Sequence, residues 1–223
     1  MPLPRLGLLA AAFSLAAATL SAATPDVTLW RLEDTAQLDG HPLTILGAPK
    51  VVSENGKQAM VFNGSSDGIF VPVNPLAGSP TFTIEVLFKP EEGGLEAQRF
   101  FHLQDTKTWR VMIETRLDGK GHWWLDTFLG AIGVSQPMIE PKLTHPTGQW
   151  HWIALRFDGT HMTSFVNGEQ ELEREAKFGP MVEGQLSLGV RQNKVFWFKG
   201  AIREMRWHRE AIAKEKLQKL PMP

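Results

Sequence analysis

Thr81-Phe-Thr-Ile-Glu-Val-Leu-Phe-Lys89 is the stretch that decides the fold. Phe82, Ile84, Val86 and Phe88 fall on one face, and Thr81, Thr83, Glu85 and Lys89 on the other. That period of two belongs to a half-buried β-strand. Pro90 ends it, because proline has no N–H to give to a ladder. Working outward, Trp109–Arg116 alternates again, with Trp109, Val111 and Ile113 opposing Arg110, Glu114 and Arg116. His122–Phe128 sets Trp123 and Leu125 against His122, Trp124 and Asp126. Further strands are expected near Val27–Leu32, Gln58–Phe62, Ile69–Val71, Phe100–Gln104, Trp150–Phe157, Thr163–Val166, Gln185–Val190 and Phe196–Trp207. Asp158-Gly159 and Asn167-Gly168 are tight-turn pairs, the first closing a hairpin from Trp150 to Val166.

Only the tail reads as helix. Arg209–Leu220 is rich in Ala, Glu, Lys and Leu, spaces Ile212 and Leu217 for one face, and is followed by Pro221. About a dozen strands without intervening helices predict an all-β, two-sheet antiparallel sandwich with a short C-terminal helix. No repeat, low-complexity tract or linker divides the chain after its first segment, so residues 24–223 read as one domain.

Composition narrows the function. Of 223 residues, 23 are Lys or Arg and 24 are Asp or Glu, so no basic excess exists to hold a phosphate backbone, and nucleic acid is not an expected partner. With no Cys there is no disulfide framework, zinc-thiolate site or Cys nucleophile. The first segment reads as an export signal: Arg5, an uncharged run from Leu6 to Leu20, then small residues Ser21-Ala22-Ala23. The run is short for a bilayer, which needs ~20 apolar residues. Cleavage after Ala23 and a secreted or periplasmic address follow, with no membrane span afterwards.

Several segments resemble laminin-G-like and concanavalin A-like domains. They are Thr81–Pro90; Gly148-Gln-Trp-His-Trp-Ile-Ala-Leu-Arg-Phe-Asp-Gly159 with Phe165-Val-Asn-Gly168; Gly200-Ala-Ile-Arg-Glu-Met-Arg206 leading into Ala211–Lys216; and Ala59-Met-Val-Phe-Asn-Gly64 with Phe70-Val-Pro72. Together they cover nearly all of residues 27–216. The resemblance implies a jelly-roll sandwich, a fold that hosts lectins, adhesion modules, polysaccharide hydrolases and lyases. Fold alone does not choose among them.

The catalytic patterns of that group are missing. No E-x-D-x-x-E strand is present, and the alternate acids of Glu169-Gln-Glu-Leu-Glu173 follow a turn and read as a solvated strand edge. The lyase branch relies on a Tyr, and this chain has none. A weaker catalytic reading keeps Glu85, Arg110, Glu114, Arg116, His122, Trp124, Asp126 and Arg191 together in one groove, where carboxylates beside Arg and His support acid–base cleavage. The plainer reading makes them the solvent face of a sheet.

Binding has better candidates. Trp124 stands between His122 and Asp126 on the alternation, offering a ring for a sugar face and flanking groups for its hydroxyls. Trp197, near Arg191 and Asn193, is the second candidate. Trp30, Trp123, Trp150 and Trp152 read as core. The resemblance also implies a calcium site, through an Asp of the closing strand, but Arg203 stands at that position. Asp67 is a turn residue, and the His residues form no metal pattern. No cofactor or metal is therefore expected. The sequence points to an exported, non-catalytic recognition module whose partner is a glycan or cell-surface polysaccharide, with Arg110, Glu114, His122, Trp124, Asp126, Arg191 and Trp197 as ligand-binding residues. The alternatives are a polysaccharide-cleaving lyase or hydrolase and a module that binds another envelope or matrix protein.

Overall fold

The computed structural model describes residues 27–221 and Met1. The expected signal segment over residues 1–23 otherwise lies outside the described residues. In chain order the strands are β1 (Val27–Arg31), β2 (Gln37–Leu38), β3 (His41–Pro42), β4 (Thr44–Leu46), β5 (Lys50–Glu54), β6 (Lys57–Asn63) and β7 (Gly68–Val71). They continue with β8 (Phe82–Pro90), β9 (Ala97–Asp105), β10 (Arg110–Leu117), β11 (His122–Ala131), β12 (Val134–Ile139) and β13 (His145–Pro146). The last are β14 (His151–Phe157), β15 (His161–Val166), β16 (Glu169–Glu175), β17 (Gly184–Leu188) and β18 (Lys199–His208).

Two large antiparallel sheets form the sandwich. The first runs β16-β15-β14-β8-β18-β6-β5, with β1 on the far half of β18. The second runs β12-β11-β10-β9-β17-β7-β4, with β13 beside the start of β11. The alternation expected of the chain holds in both. Phe82, Ile84, Val86 and Phe88 of β8 meet Val111, Ile113, Trp123 and Leu125 of the opposite sheet in one core cluster. Its centre is aromatic: Phe88 stacks on Phe100 at 4.6 Å, and Trp123 meets Phe88 edge-on at 5.0 Å. The β15–β16 turn uses Asn167 and Gly168 at φ of 50° and 80°, the pair of left-handed residues that a two-residue hairpin turn requires. The acidic stretch after it is β16, an edge strand exposed over most of its length.

Three register shifts interrupt the ladders, one of them at Ser164/Phe165 beside the edge strand β16. Between β9 and β10 the register shifts so that Glu114 faces the pair Arg99–Phe100. Phe100 turns into the core while Arg99 turns outward, its side chain mostly buried against Glu114. Between β18 and β8 the shift falls at Arg203, with Ile202 and Met205 both buried in the core on either side of it.

The structure corrects three expectations. The tail is not a helix beyond one 3-10 turn at Lys214–Lys216. It lies as a strap across the outer side of the first sheet, where Ile212 and Leu217 pack on Ala154 and Phe165. The backbone N–H of Ile212 donates to Thr83 Oγ1 and that of Gln218 to Glu85. Those contacts outweigh the helix propensity of the segment. Glu85 is thereby sealed under the strap, its carboxylate 2.8 Å from His208 Nε2, on the opposite sheet from Glu114. It cannot share a groove with Arg110. Trp152 is buried and Trp150 half-buried, but both stand on the outer side of the first sheet, outside the cluster between the sheets. They line a surface groove on the first sheet with Arg203 and Arg206, because Ile153, Leu155 and Phe157 take the inward positions of that strand.

Candidate functional site

The outer face of the second sheet gathers most of the expected residues. Along the β10–β11 ladder the facing pairs are Arg110 with Gly130, Met112 with Phe128, Glu114 with Asp126, and Arg116 with Trp124. Their inward neighbours Val111, Ile113, Trp123, Leu125 and Leu129 belong to the core, so the alternation commits these pairs to the outside. On β9 the neighbours are Gln104 beside Arg110 and His102 beside Met112.

A charged network fixes the middle of this face. Arg116 Nη2 lies 2.6 Å from Asp126 Oδ2 and 3.3 Å from Glu114 Oε2, and its Nε donates to Asp126 at 3.0 Å. Arg99 Nε stands 3.0 Å from Glu114 Oε1 without a linear hydrogen bond. Both carboxylates are almost fully buried. Burial is the main force pushing the Glu114 carboxyl up, to about 7, and the charge of Asp126 adds to it; Arg99, Arg116 and Arg191 pull the other way. Burial also raises Asp126, against the hydrogen bond from Arg116. His102 goes in the opposite direction, down to about 3, through burial and then the positive fields of Arg191, Arg110 and Arg99.

Trp124 marks one end of the face. It is half-buried, its indole N–H has no hydrogen-bond partner, and it lines a cleft of about 570 Å³ with His122, Leu117, Asp118 and Glu92. His122 is exposed and tied to Asp118, 3.0 Å from Nδ1 to the carboxylate, so it forms the rim. At the other end, Arg110 lies against the Phe128 ring, 5.1 Å from its centroid. Arg191 enters from the loop after β17, whose next residue, Gln192, donates its backbone N–H to His102 Nδ1 at 3.2 Å. Trp197 is half-buried in the same loop. The ring that covers the network is instead Phe196, 3.6 Å from the Arg99 guanidinium carbon.

The guanidinium of Arg203 sits 4.0 Å from the Trp150 ring centroid. The carboxylate of Asp67 accepts the backbone N–H groups of Ala48 and Asn63. A hard cation needs several free oxygens together, and no group of three or more acids and imidazoles converges among the described residues.

A family model described as the Concanavalin A-like lectin/glucanases superfamily matches residues 63–218. The chain belongs to that superfamily. Among solved structures, this superfamily member is similar to domain 4 of AbnA, a GH43 extracellular arabinanase from Geobacillus stearothermophilus, in complex with arabinotriose. Identity there is 21%, over 84% of this chain and 94% of that one, with a TM-score of 0.64. It is also similar to the receptor binding domain of botulinum neurotoxin D, at 13% identity over 85% of this chain and 50% of that one, with a TM-score of 0.63. At these identities the likeness concerns the concanavalin A-like fold. Comparison with curated proteins gives no match.

Of the expected ligand residues, the face unites Arg110, Glu114, Trp124, Asp126 and Arg191, with His122 at the rim. Sequence reasoning missed Arg99, His102 and Phe196. A signal for two of them exists in Arg99-Phe100-Phe101-His102, where paired apolar residues break the alternation as a bulge does. Phe196 sits at φ 60° in a loop where a strand was expected, and β18 starts only at Lys199. No pattern in the sequence announces that.

Proposed function

We propose that this chain is an exported, non-catalytic recognition module for a carbohydrate, bound on the outer face of the second sheet. The observation that carries the reading is Trp124. Its ring lines an open cleft, Arg116 stands on its own rung, and Glu114 and Asp126 form the next rung that faces outward. A pyranose or furanose ring offers C–H groups for such a surface and hydroxyls for such donors and acceptors, and small-molecule sites combine these two features. The ion-pair network holds the polar groups in place before ligand arrives, which lowers the ordering cost of binding. Membership of a lectin/glucanase superfamily supports the reading, as does a structural neighbour whose complex contains arabinotriose. The binding role needs no calcium. The residues assigned to the face are Arg110, Glu114, His122, Trp124, Asp126 and Arg191.

Glycan-array binding of the mature protein, with Trp124→Ala beside it, tests the reading. Wild type is expected to retain at least one glycan, with Trp124→Ala losing about tenfold in affinity, the equivalent of about 1.4 kcal/mol. Equal binding by the variant would remove Trp124 and the cleft from the site. One observation favours a second reading, cleavage of the polysaccharide: Glu114 is held near pH 7 directly across from Asp126, and a tuned carboxyl of that kind suits general acid catalysis. Release of reducing ends or of an unsaturated product from a bound glycan, abolished in Glu114→Gln, would favour it. Binding without either product supports recognition alone.

A further inference from the structure

One corner of the same face carries cations that the network does not neutralise. Glu114 and Asp126 are engaged by Arg99 and Arg116. Arg110 and Arg191 form no ion pair among the described residues. Their positions converge on His102. Arg110 lies diagonal to it across the β9–β10 ladder, two pairs along on the same face, a spacing of about 7–8 Å between such positions that long side chains span readily. Arg191 is joined to Gln192, whose backbone N–H donates to His102 Nδ1.

That bond also fixes the imidazole. Nδ1 accepts, so the neutral ring carries its proton on Nε2. His102 is 2% exposed, and its Nε2 meets no acceptor. The Arg110 Nε is likewise buried without a partner. Buried donors without acceptors cost about 1–3 kcal/mol each, and two like charges brought together add repulsion. Burial together with the Arg191 charge lowers the affinity of Arg110 for its own proton, which places the two guanidinium groups within reach of each other's field. An arriving anion would relieve both costs. The guanidinium fork is also the side-chain group whose shape matches planar oxyanions in pairs of hydrogen bonds.

We propose that Arg110 and Arg191, standing over His102, bind an oxyanion substituent of the polysaccharide, either a uronate carboxylate or a sulfate ester. This inference rests on the carbohydrate reading and sharpens it from glycan to acidic glycan. Trp124 and the cleft lie at the Arg116 end of the face, so the sugar chain spans the β10–β11 ladder from its ring-binding end to its anion-binding end.

The test measures binding of the mature protein to three polymers by affinity electrophoresis: polygalacturonate, dextran sulfate and a neutral β-glucan. Arg110→Gln, Arg191→Gln, Trp124→Ala and Arg203→Gln are run beside wild type, with far-UV circular dichroism to verify folding of each. Stronger retardation by polygalacturonate or dextran sulfate than by the β-glucan is expected, and the preferred polymer tells carboxylate from sulfate. Arg191→Gln and Arg110→Gln are each expected to weaken that acidic interaction about tenfold, from the usual worth of a hydrogen bond to a charged group. Arg203→Gln removes the same charge from the opposite sheet and is expected to change nothing. Equal losses in Arg203→Gln and Arg191→Gln would reveal diffuse charge attraction and overturn the site. So would unaltered acidic binding in both Arg110→Gln and Arg191→Gln. Should Arg110→Gln misfold, Arg191→Gln decides alone, since its side chain projects from a loop. Binding of the neutral polymer alone, weakened by Trp124→Ala, would discard the anion site and keep the carbohydrate reading. Binding of none of these polymers, together with a blank glycan array, would discard both.

Discussion

Glu114 and His102 occupy neighbouring strands of one face, yet their protonation works against each other. In the folded chain Glu114 titrates near 7 instead of 4.5. Between those values the unfolded chain gives up its proton while the folded one keeps it, so stability falls as pH rises through that window. His102 titrates near 3 instead of 6.5. The unfolded chain takes up a proton that the folded chain refuses, so stability falls as pH drops from 6.5 toward 3. Glu114→Gln removes the first slope and leaves the second. Urea unfolding at pH 5 and pH 7.5 is expected to show wild type losing up to about 3 kcal/mol more than the variant across that interval, the value of a shift of this size. Parallel behaviour of the two proteins would mean that Glu114 is ionised in the folded state at pH 5. The same residues show what the sequence could disclose. Arg110, Glu114, Trp124 and Asp126 were legible because alternation sets them on one side of two strands. His102 was passed over as one histidine among several, and Arg99 because a bulge moves it out of step. Neither reveals its role without knowledge of which strand pairs with β10.

Elements differ in how far their local preference survives assembly. Strands β8, β10, β11, β14 and β15 follow their own alternation, and each pairs with neighbours that reinforce it. The tail does not. Its Ala, Glu, Lys and Leu favour helix by tenths of a kcal/mol per residue, but a helix would carry Ile212 and Leu217 away from Ala154 and Phe165. Laid out as a strap, it buries both and covers Glu85. The strap therefore depends on few anchors. Leu217→Ala is expected to cost about 2 kcal/mol, the low end for a buried leucine, because the site is shallow enough to collapse. Hydrogen exchange locates the effect. The Gln218 amide, which donates to Glu85, is expected to lose protection in Leu217→Ala, while amides in the β10–β11 ladder keep theirs. Equal loss in both places would show that the strap is not a separable layer but part of the global fold. Trp152 belongs to the same lesson: its burial was readable, whereas its side of the sheet depended on which residues of β14 the core claimed.

For the molecule as a whole, the decisive feature is that one core joins both layers while the two outer faces diverge. The strap closes part of the first sheet's outer face, whereas on the second sheet's outer face the loop after β17 lies over Arg99 and His102. Arg110, Glu114, Trp124, Asp126 and Arg191 stand on that face with His122 at its rim. Its polar groups stay in place because the layer beneath them is anchored across the sandwich by Phe88, Phe100 and Trp123. Function at the surface is thus coupled to packing two side chains below it. Phe100 sits in the bulge that also presents Arg99 to Glu114, so its ring fixes both the core and the network. Phe100→Ala is expected to lower stability by about 3–5 kcal/mol, as truncation of a fully buried phenylalanine does. Because the cluster is continuous between the sheets, far-UV ellipticity and tryptophan fluorescence are expected to report one shared midpoint in urea, in wild type and variant alike. Two separated midpoints would show that the sheets unfold independently. In that event the second sheet's outer face could not draw its order from the layer below, and the rigidity invoked for ligand binding would have to come from the ion-pair network alone.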